Sequence, residues 1–261
     1  MPDLIDASWL TGQLDLALSE LRVQCLEQCE STNTLLMAQA KAGGPHGSVV
    51  VCEYQTAGRG RLGNRWQSAP EASLTFSLLW RFPSSLQHRS ALSLVVAVGC
   101  AQTLESLGAR GVALKWPNDL LLDGRKLGGI LVETFHSAGV IVAVIGVGLN
   151  VCHSASIDAQ VGVRVATLRE AGIDATRTRV LAALLLGLEN ALAKFDREGF
   201  EMFRAAWQRR DAWHGRQVRL SGNRGQIVGE AMGIGDDGAL LLRTGGMIQT
   251  HYSGEMSLRP A

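Results

Sequence analysis

The chain has 261 residues, 46% hydrophobic and 19% charged, and its 25 Lys and Arg against 24 Asp and Glu leave a formal charge of +1. That profile excludes a disordered or fibrous chain, and it offers no global basic field for nucleic acid. The five cysteines, Cys25, Cys29, Cys52, Cys100 and Cys152, form no CxxC pair, so neither a disulfide framework nor a zinc site is expected and a reducing compartment fits.

The acidic start, Met1 to Asp6, lacks a signal-peptide pattern, and the longest apolar run, Val140 to Leu149, is shorter than the ~18 to 20 residues of a membrane span. A cytoplasmic protein with no membrane contact is expected. Leu10, Leu14, Leu18 and Leu21 recur at helical spacing over Ser8 to Leu21, and Val23 to Cys29 reads as a strand. Glu30-Ser31-Thr32-Asn33 offers helix caps before Leu35, and Gly43-Gly44-Pro45 stops that helix. Ser48 to Tyr54 and Leu74 to Trp80 read as strands on either side of a Gly/Arg-rich loop, Gln55 to Pro70, and Ala91 to Leu107 reads as a buried helix.

Three apolar segments follow closely: Val112 to Trp116, Gly129 to Phe135 and Val140 to Gly148. Asp123-Gly124 and Ser137-Ala138-Gly139 stand between them as turns. Gaps this short predict a mixed or antiparallel sheet. Thr178 to Asp196 and Gly199 to Trp213 predict two helices, the second facing inward with Phe200, Phe203 and Trp207. Composition breaks at His214-Gly215. Beyond it, short strands at Val218 to Leu220, Gln226 to Met232, Ala239 to Arg243 and Met247 to Tyr252 predict a small β-barrel. The expected fold class is α+β with two domains, residues 1–214 and 215–261.

Two stretches carry chemistry. Gly58-Arg59-Gly60-Arg61-Leu62-Gly63 spells GxGxxG, but it leads through Asn64-Arg65-Trp66 into a strand, whereas a dinucleotide fold needs a helix there. The glycines allow close backbone approach, Arg59, Arg61 and Arg65 supply forks for phosphate or carboxylate, and Trp66 can stack on a base. The second stretch runs from Lys115 through Asn118 and Asp119 to Lys126. A hairpin at Asp123-Gly124 brings Lys126 back towards Asp119, giving cations for phosphate and a carboxylate able to hold Mg²⁺.

Together with Gln55-Thr56-Ala57, Lys126-Leu127-x-Gly129-Ile130-Leu131, Gly146-x-Gly148-x-Asn150 and Gly254-Glu255-Met256-Ser257-Leu258-Arg259, these motifs stand in the order found in bacterial biotin protein ligases, which the chain resembles from about residue 30 to its end. The resemblance implies the biotin/lipoate ligase fold, a class II synthetase-like sheet flanked by helices, with an SH3-like C-terminal barrel. It also implies an ATP-dependent ligase. Biotin and ATP form biotinyl-5′-adenylate with Mg²⁺, and the biotinyl group then passes to a lysine of the biotin carboxyl carrier protein of acetyl-CoA carboxylase or a related carboxylase.

By resemblance, Lys126, Arg61 and Asp119 are catalytic, with Asp119 also the metal ligand. Ser31, Thr32, Asn33, Gln55, Gly58, Arg59, Arg61, Lys126 and Gly129 bind biotin. Arg59, Arg61, Arg65, Trp66, Lys115, Asn118, Lys126 and Asn150 bind the nucleotide. Many relatives have a basic residue where this chain has Asn64, which leaves open whether Arg65 replaces it. About 30 residues precede Ser31, too few for the DNA-reading winged helix of some relatives, so the ligase-only form without DNA binding is expected. Relatives often form homodimers through sheet edges. A lipoate or octanoate ligase and a non-catalytic ligand-binding scaffold are the alternatives.

Overall fold

The structure, a computed structural model, describes residues 3–83, 86–222, 225–254 and 256–261. Met1 and Pro2 of the acidic start and Glu255 of the closing motif lie outside them. Helix α1 (Ala7–Leu16) starts where the Asp6 carboxylate accepts from the Trp9 amide, 2.9 Å away, and it buries Leu10 and Leu14. The expected extension to Leu21 fails because Leu18 turns left-handed (φ 53°), exposed, two residues past the helix. Strand β1 (Arg22–Cys29), helix α2 (Thr32–Lys41) and strand β2 (Ser48–Gln55) form a βαβ unit, and β1 and β2 pair in parallel.

Every other pairing in the main sheet is antiparallel. Strand β3 (Ser73–Pro83), helix α3 (Leu92–Ser106), then β4 (Val112–Lys115), β5 (Asp119–Leu122), β6 (Arg125–Ser137) and β7 (Val140–Asn150) complete a seven-stranded sheet of order β1-β2-β3-β7-β6-β5-β4. The sheet is mixed. Asp123-Gly124 and Ala138-Gly139 take positive φ at both turn residues, the geometry that suits a two-residue hairpin. Strand β5 was hidden in the sequence because four residues, Asp-Leu-Leu-Leu, carry no alternation, and β6 starts four residues before the expected Gly129.

Helix α4 (Ala155–Val161), unforeseen in a polar stretch, leads to α5 (Arg177–Glu198), capped by Thr176 and ended at Gly199. Helix α3 is buried nearly all round because α5 packs on it from outside, with Gly99 against Ala191 and Leu188. Helix α6 is shorter than its pattern, Glu201–Gln208, and presents Phe203 and Trp207 to the core; the rest of the expected helix folds as turns that carry Asp211 back onto β4.

Strands β8 (Gln217–Gly222), β9 (Gly225–Ile234), β10 (Leu240–Thr244), β11 (Met247–His251) and β12 (Ser257–Pro260) make a second, antiparallel sheet of order β11-β10-β9-β8-β12. The two sheets touch through the buried Trp116, whose indole N–H donates to the Gly238 carbonyl at 3.2 Å. Among the described residues no helix is long and apolar enough to cross a membrane.

One buried cation ties the chain's start to the sheet. The Arg177 guanidinium is 1% exposed and donates to the carbonyls of Asp3 and Ser73 (2.9 Å to Ser73), while pairing with Glu53 of β2 at 2.5 Å. Arg177→Ala leaves Glu53 without its buried partner and is expected to lower unfolding stability by about 3–5 kcal/mol. Urea denaturation checks this, and an unchanged midpoint would contradict it.

Candidate active site

Hairpin pairing builds the centre of the site. Lys115 and Asp119 are direct partners across β4 and β5, and Asp119 in turn faces Gly129 across β5 and β6. Lys126 faces Leu121, with the register shifting by one residue between that pair and Leu120 with Gly128. In a regular strand Lys126 and Gly129, three apart, would project to opposite faces. The bulge absorbs one β6 residue and turns Lys126 onto the Asp119 face. Lys115 Nζ then lies 2.5 Å from Asp119 Oδ2, and Lys126 Nζ lies 2.7 Å from Oδ1. Gly129 leaves the space, since a Cβ there would come within 3.2 Å of Lys126 Nζ.

Asp119 is 7% exposed. Burial pushes its carboxyl up, but the adjacent charges of Lys126 and Lys115 outweigh burial and hold it below the usual carboxylate range. Lys115 is further held over the Trp213 ring, 5.3 Å from its centroid. Both oxygens of Asp119 are thus taken by ammonium groups, which does not fit the metal-ligand role expected of it. No group of three His, Cys, Asp or Glu among the described residues could hold a metal ion.

A cavity of about 460 Å³ opens above this triad. Ser31, Thr32 and Asn33 at the start of α2 and Gln55 at the end of β2 line one part of it, and Lys115, Asn118, Asp119, Lys126 and Gly129 line another. The Ser31 hydroxyl caps α2 through the Thr34 amide, the Thr32 amide donates to Gln55 Oε1 at 2.7 Å, and all four side chains of the first part are buried. Strand β7 passes behind them. A Cβ on Gly146 would overlap Asn33 Oδ1, and one on Gly148 would come within 2.5 Å of the Trp66 ring. Here the glycines make room for site side chains.

The Gly/Arg loop closes on itself as a small finger. Trp66 N–H donates to the Gly58 carbonyl at 2.9 Å, Gly60 N–H to the Asn64 carbonyl at 2.8 Å, and Leu62 and Gly63 turn the tip with positive φ. Its three arginines diverge. Arg59 forms a two-point pair with Glu133 (2.8 and 3.1 Å). Arg61 reaches Asn118 (3.4 Å) and the carbonyls of Ser253 and Gly254 (2.7 Å to Gly254), linking the loop to the second sheet. Arg65 donates to the Thr56 carbonyl at 3.0 Å, on the loop's own stem. Trp66 lines the cavity with its indole N–H buried and unpartnered among the described residues.

Two expected contacts stand outside the cavity lining. Gly58 lies behind the loop, where a Cβ would overlap the Trp66 carbonyl. Asn150 is buried and donates to the Lys126 carbonyl at 3.1 Å, so it supports Lys126 instead of facing the cavity. The sequence reading missed Glu133, Thr75, Phe76 and Met256. For Glu133 the signal was present, an acid at the end of the apolar run Gly129 to Val132.

The residues 25–150 match the biotin/lipoate A/B protein ligase family, and residues 214–259 match the biotin protein ligase C terminal domain. The bifunctional ligase/repressor BirA of Escherichia coli is 38% identical over 99% of this chain and 79% of its own length. The biotin–[acetyl-CoA-carboxylase] ligase of Mycobacterium tuberculosis is 33% identical over 90% of this chain and 88% of its own. Among solved structures, the biotin protein ligase of Aquifex aeolicus in complex with biotin and ATP superimposes with a TM-score of 0.79 at 31% identity, covering 92% of this chain and 99% of that one.

The depressed Asp119 carboxyl adds stability that is fully present above its ordinary value of 3.8 and is lost as pH falls through its lower folded value. Asp119→Asn should therefore unfold at lower urea than the wild type at neutral pH. The gap should narrow once the pH drops below the ordinary value. A gap that stays constant into that acid range contradicts the ion-pair assignment.

Proposed function

The chain belongs to the biotin/lipoate A/B protein ligase family, and from that premise we infer that it is a biotin protein ligase, condensing biotin with ATP and passing the biotinyl group to a biotin carboxyl carrier protein. The observation that carries this reading is one cavity joining a buried polar pocket (Thr32, Asn33, Gln55) to the paired cations Lys115 and Lys126. A ureido head needs both donors and acceptors, which the pocket side chains supply. A carboxylate attacking an α-phosphate needs cations, which the triad supplies.

In the first step a biotin carboxylate oxygen bonds to the α-phosphorus and the bond to pyrophosphate breaks. Two anions must meet, so cancelling their repulsion and stabilising the charge that grows on the phosphate are the main catalytic demands. Lys126 meets them. Asp119 keeps Lys126 aimed before substrate arrives, and Lys115, fixed by Asp119 and Trp213, stays paired with the carboxylate when Lys126 turns to the substrate. Arg61 and Asn118 flank the nucleotide, Trp66 packs on it, and Arg59 closes over the biotin end.

Mg²⁺ would offset charge on the phosphates of bound ATP, and Asp119, whose two oxygens hold Lys115 and Lys126, would serve the lysines and not the ion. In the second step a carrier lysine amine attacks the acyl carbon and AMP leaves. The mixed anhydride between the steps reacts with water, so the loop that covers it is part of the chemistry. Acetyl-CoA carboxylase and related carboxylases supply the carrier. We assign residues 1–214 to the catalytic unit and 215–261 to a C-terminal unit that reaches the site through Met256 and Arg259.

ATP–pyrophosphate exchange tests the reading: it should require biotin, and exchange driven by lipoate or octanoate alone would overturn it. Lys126→Ala should lower the exchange about 10²–10³-fold with the fold intact, as judged by circular dichroism. Arg61→Gly should still form adenylate but release it to solution. Adenylate retained in that variant as long as in the wild type would contradict the covering role of Arg61.

A further inference from the structure

The loop and the biotin pocket share one acid. Glu133 lies in β6, opposite Val144 of β7, with its side chain 26% exposed. One carboxylate oxygen accepts from Arg59 Nη2 at 2.8 Å, and the other accepts from Arg59 Nη1 at 3.1 Å and from Asn33 Nδ2 at 3.0 Å. Asn33 Nδ2 also donates to the Leu131 carbonyl at a longer 3.4 Å, and with Asn33 only 3% exposed the orientation of its amide is set by these partners, Glu133 the nearer, and not by water.

The bonding behind Asn33 continues into the pocket. The Ser77 hydroxyl lies 2.7 Å from Asn33 Oδ1 and 2.8 Å from Thr32 Oγ1. A hydroxyl has one proton. If Ser77 donates to Asn33, then Thr32 must donate to Ser77, and Gln55 Oε1 is left to the Thr32 amide at 2.7 Å. A single directed chain follows, from Thr32 through Ser77 and Asn33 to Glu133, where Arg59 meets it from the other side. Gly146 leaves the space in which Asn33 turns its amide this way.

We propose that Glu133 is a positioning residue, which holds the Gly58–Trp66 loop down through Arg59 and fixes the amide orientation of Asn33 for the biotin head. The contribution as a lid and as a pocket rests on the biotin ligase reading above. Two substitutions separate its two tasks. Glu133→Gln keeps an acceptor for Asn33 and loses the charged, two-point hold on Arg59. Glu133→Ala loses both.

Amide hydrogen exchange over residues 58–66, biotin titration calorimetry and the dissociation rate of biotinyl-adenylate are measured on the intact chain. In Glu133→Gln, loop exchange and adenylate release should each rise about tenfold, with biotin affinity within about threefold of the wild type. Glu133→Ala should match it in the loop and also weaken biotin by about tenfold. Adding Glu133→Gln to Arg59→Gln should raise loop exchange no further, because the two changes break the same pair.

Loop exchange and release at wild-type rates in Glu133→Gln overturn the proposal, and so does exchange that rises evenly across the chain in step with a lowered Tm. Equal biotin affinity in the Gln and Ala variants overturns the Asn33 half of it. Should the wild type form no adenylate at all, the ligase reading fails by itself, while loop exchange and biotin titration still decide the role of Glu133.

Discussion

A buried carboxylate held between two ammonium groups organises this protein. Asp119 is nearly sealed from water and would be costly alone; Lys115 and Lys126 make it tolerable, and it in turn holds both at the floor of the cavity. The surrounding fold serves this arrangement. Two tight hairpins bring three strands into register, a bulge turns Lys126 to the correct face, and Asn150 holds the Lys126 carbonyl from β7. Because the acid offsets the lysines before substrate arrives, the site can store positive charge without unfolding, and it can present that charge when an anion enters.

The rest of the cavity is shaped by what is left out. Gly146 and Gly148 alternate on β7 with large apolar residues, so one face of a core strand is emptied to receive Asn33 and Trp66 while its other face stays packed. Polar side chains then line this emptied face in a mutually bonded chain, as buried polar groups require. The Gly/Arg loop lies above and is held at two points of different kind: Arg59 to the main sheet through Glu133, and Arg61 to backbone carbonyls next to the second sheet. A lid tied to both sheets can report on both parts of the cavity.

Much of this was legible in the sequence. The helix start within Glu30-Ser31-Thr32-Asn33, the mixed sheet, both hairpin turns and most of the residues that meet in the cavity followed from caps, alternation, turn dipeptides and family motifs. What stayed hidden depends on register and on distant contacts. A bulge adds a residue without changing composition, so the facing of Lys126 could not be read. Strand β5 is too short to show a period, and Leu18 ended α1 by backbone conformation where spacing suggested continuation. The metal role expected of Asp119 rested on its charge and on the family motifs; the return of Lys126 towards it was readable from the Asp123-Gly124 hairpin, but the pairing of each carboxylate oxygen with its own lysine became visible only when β4, β5 and β6 were placed side by side.

The most direct test of the account is a crystal structure of the protein with a non-hydrolysable biotinyl-adenylate analogue. Lys126 should leave Asp119 and lie within hydrogen-bond distance of the acyl-phosphate oxygens, with Lys115 still paired to Asp119. An analogue bound with Lys126 still on Asp119, and its phosphate held by other residues, would contradict the central claim.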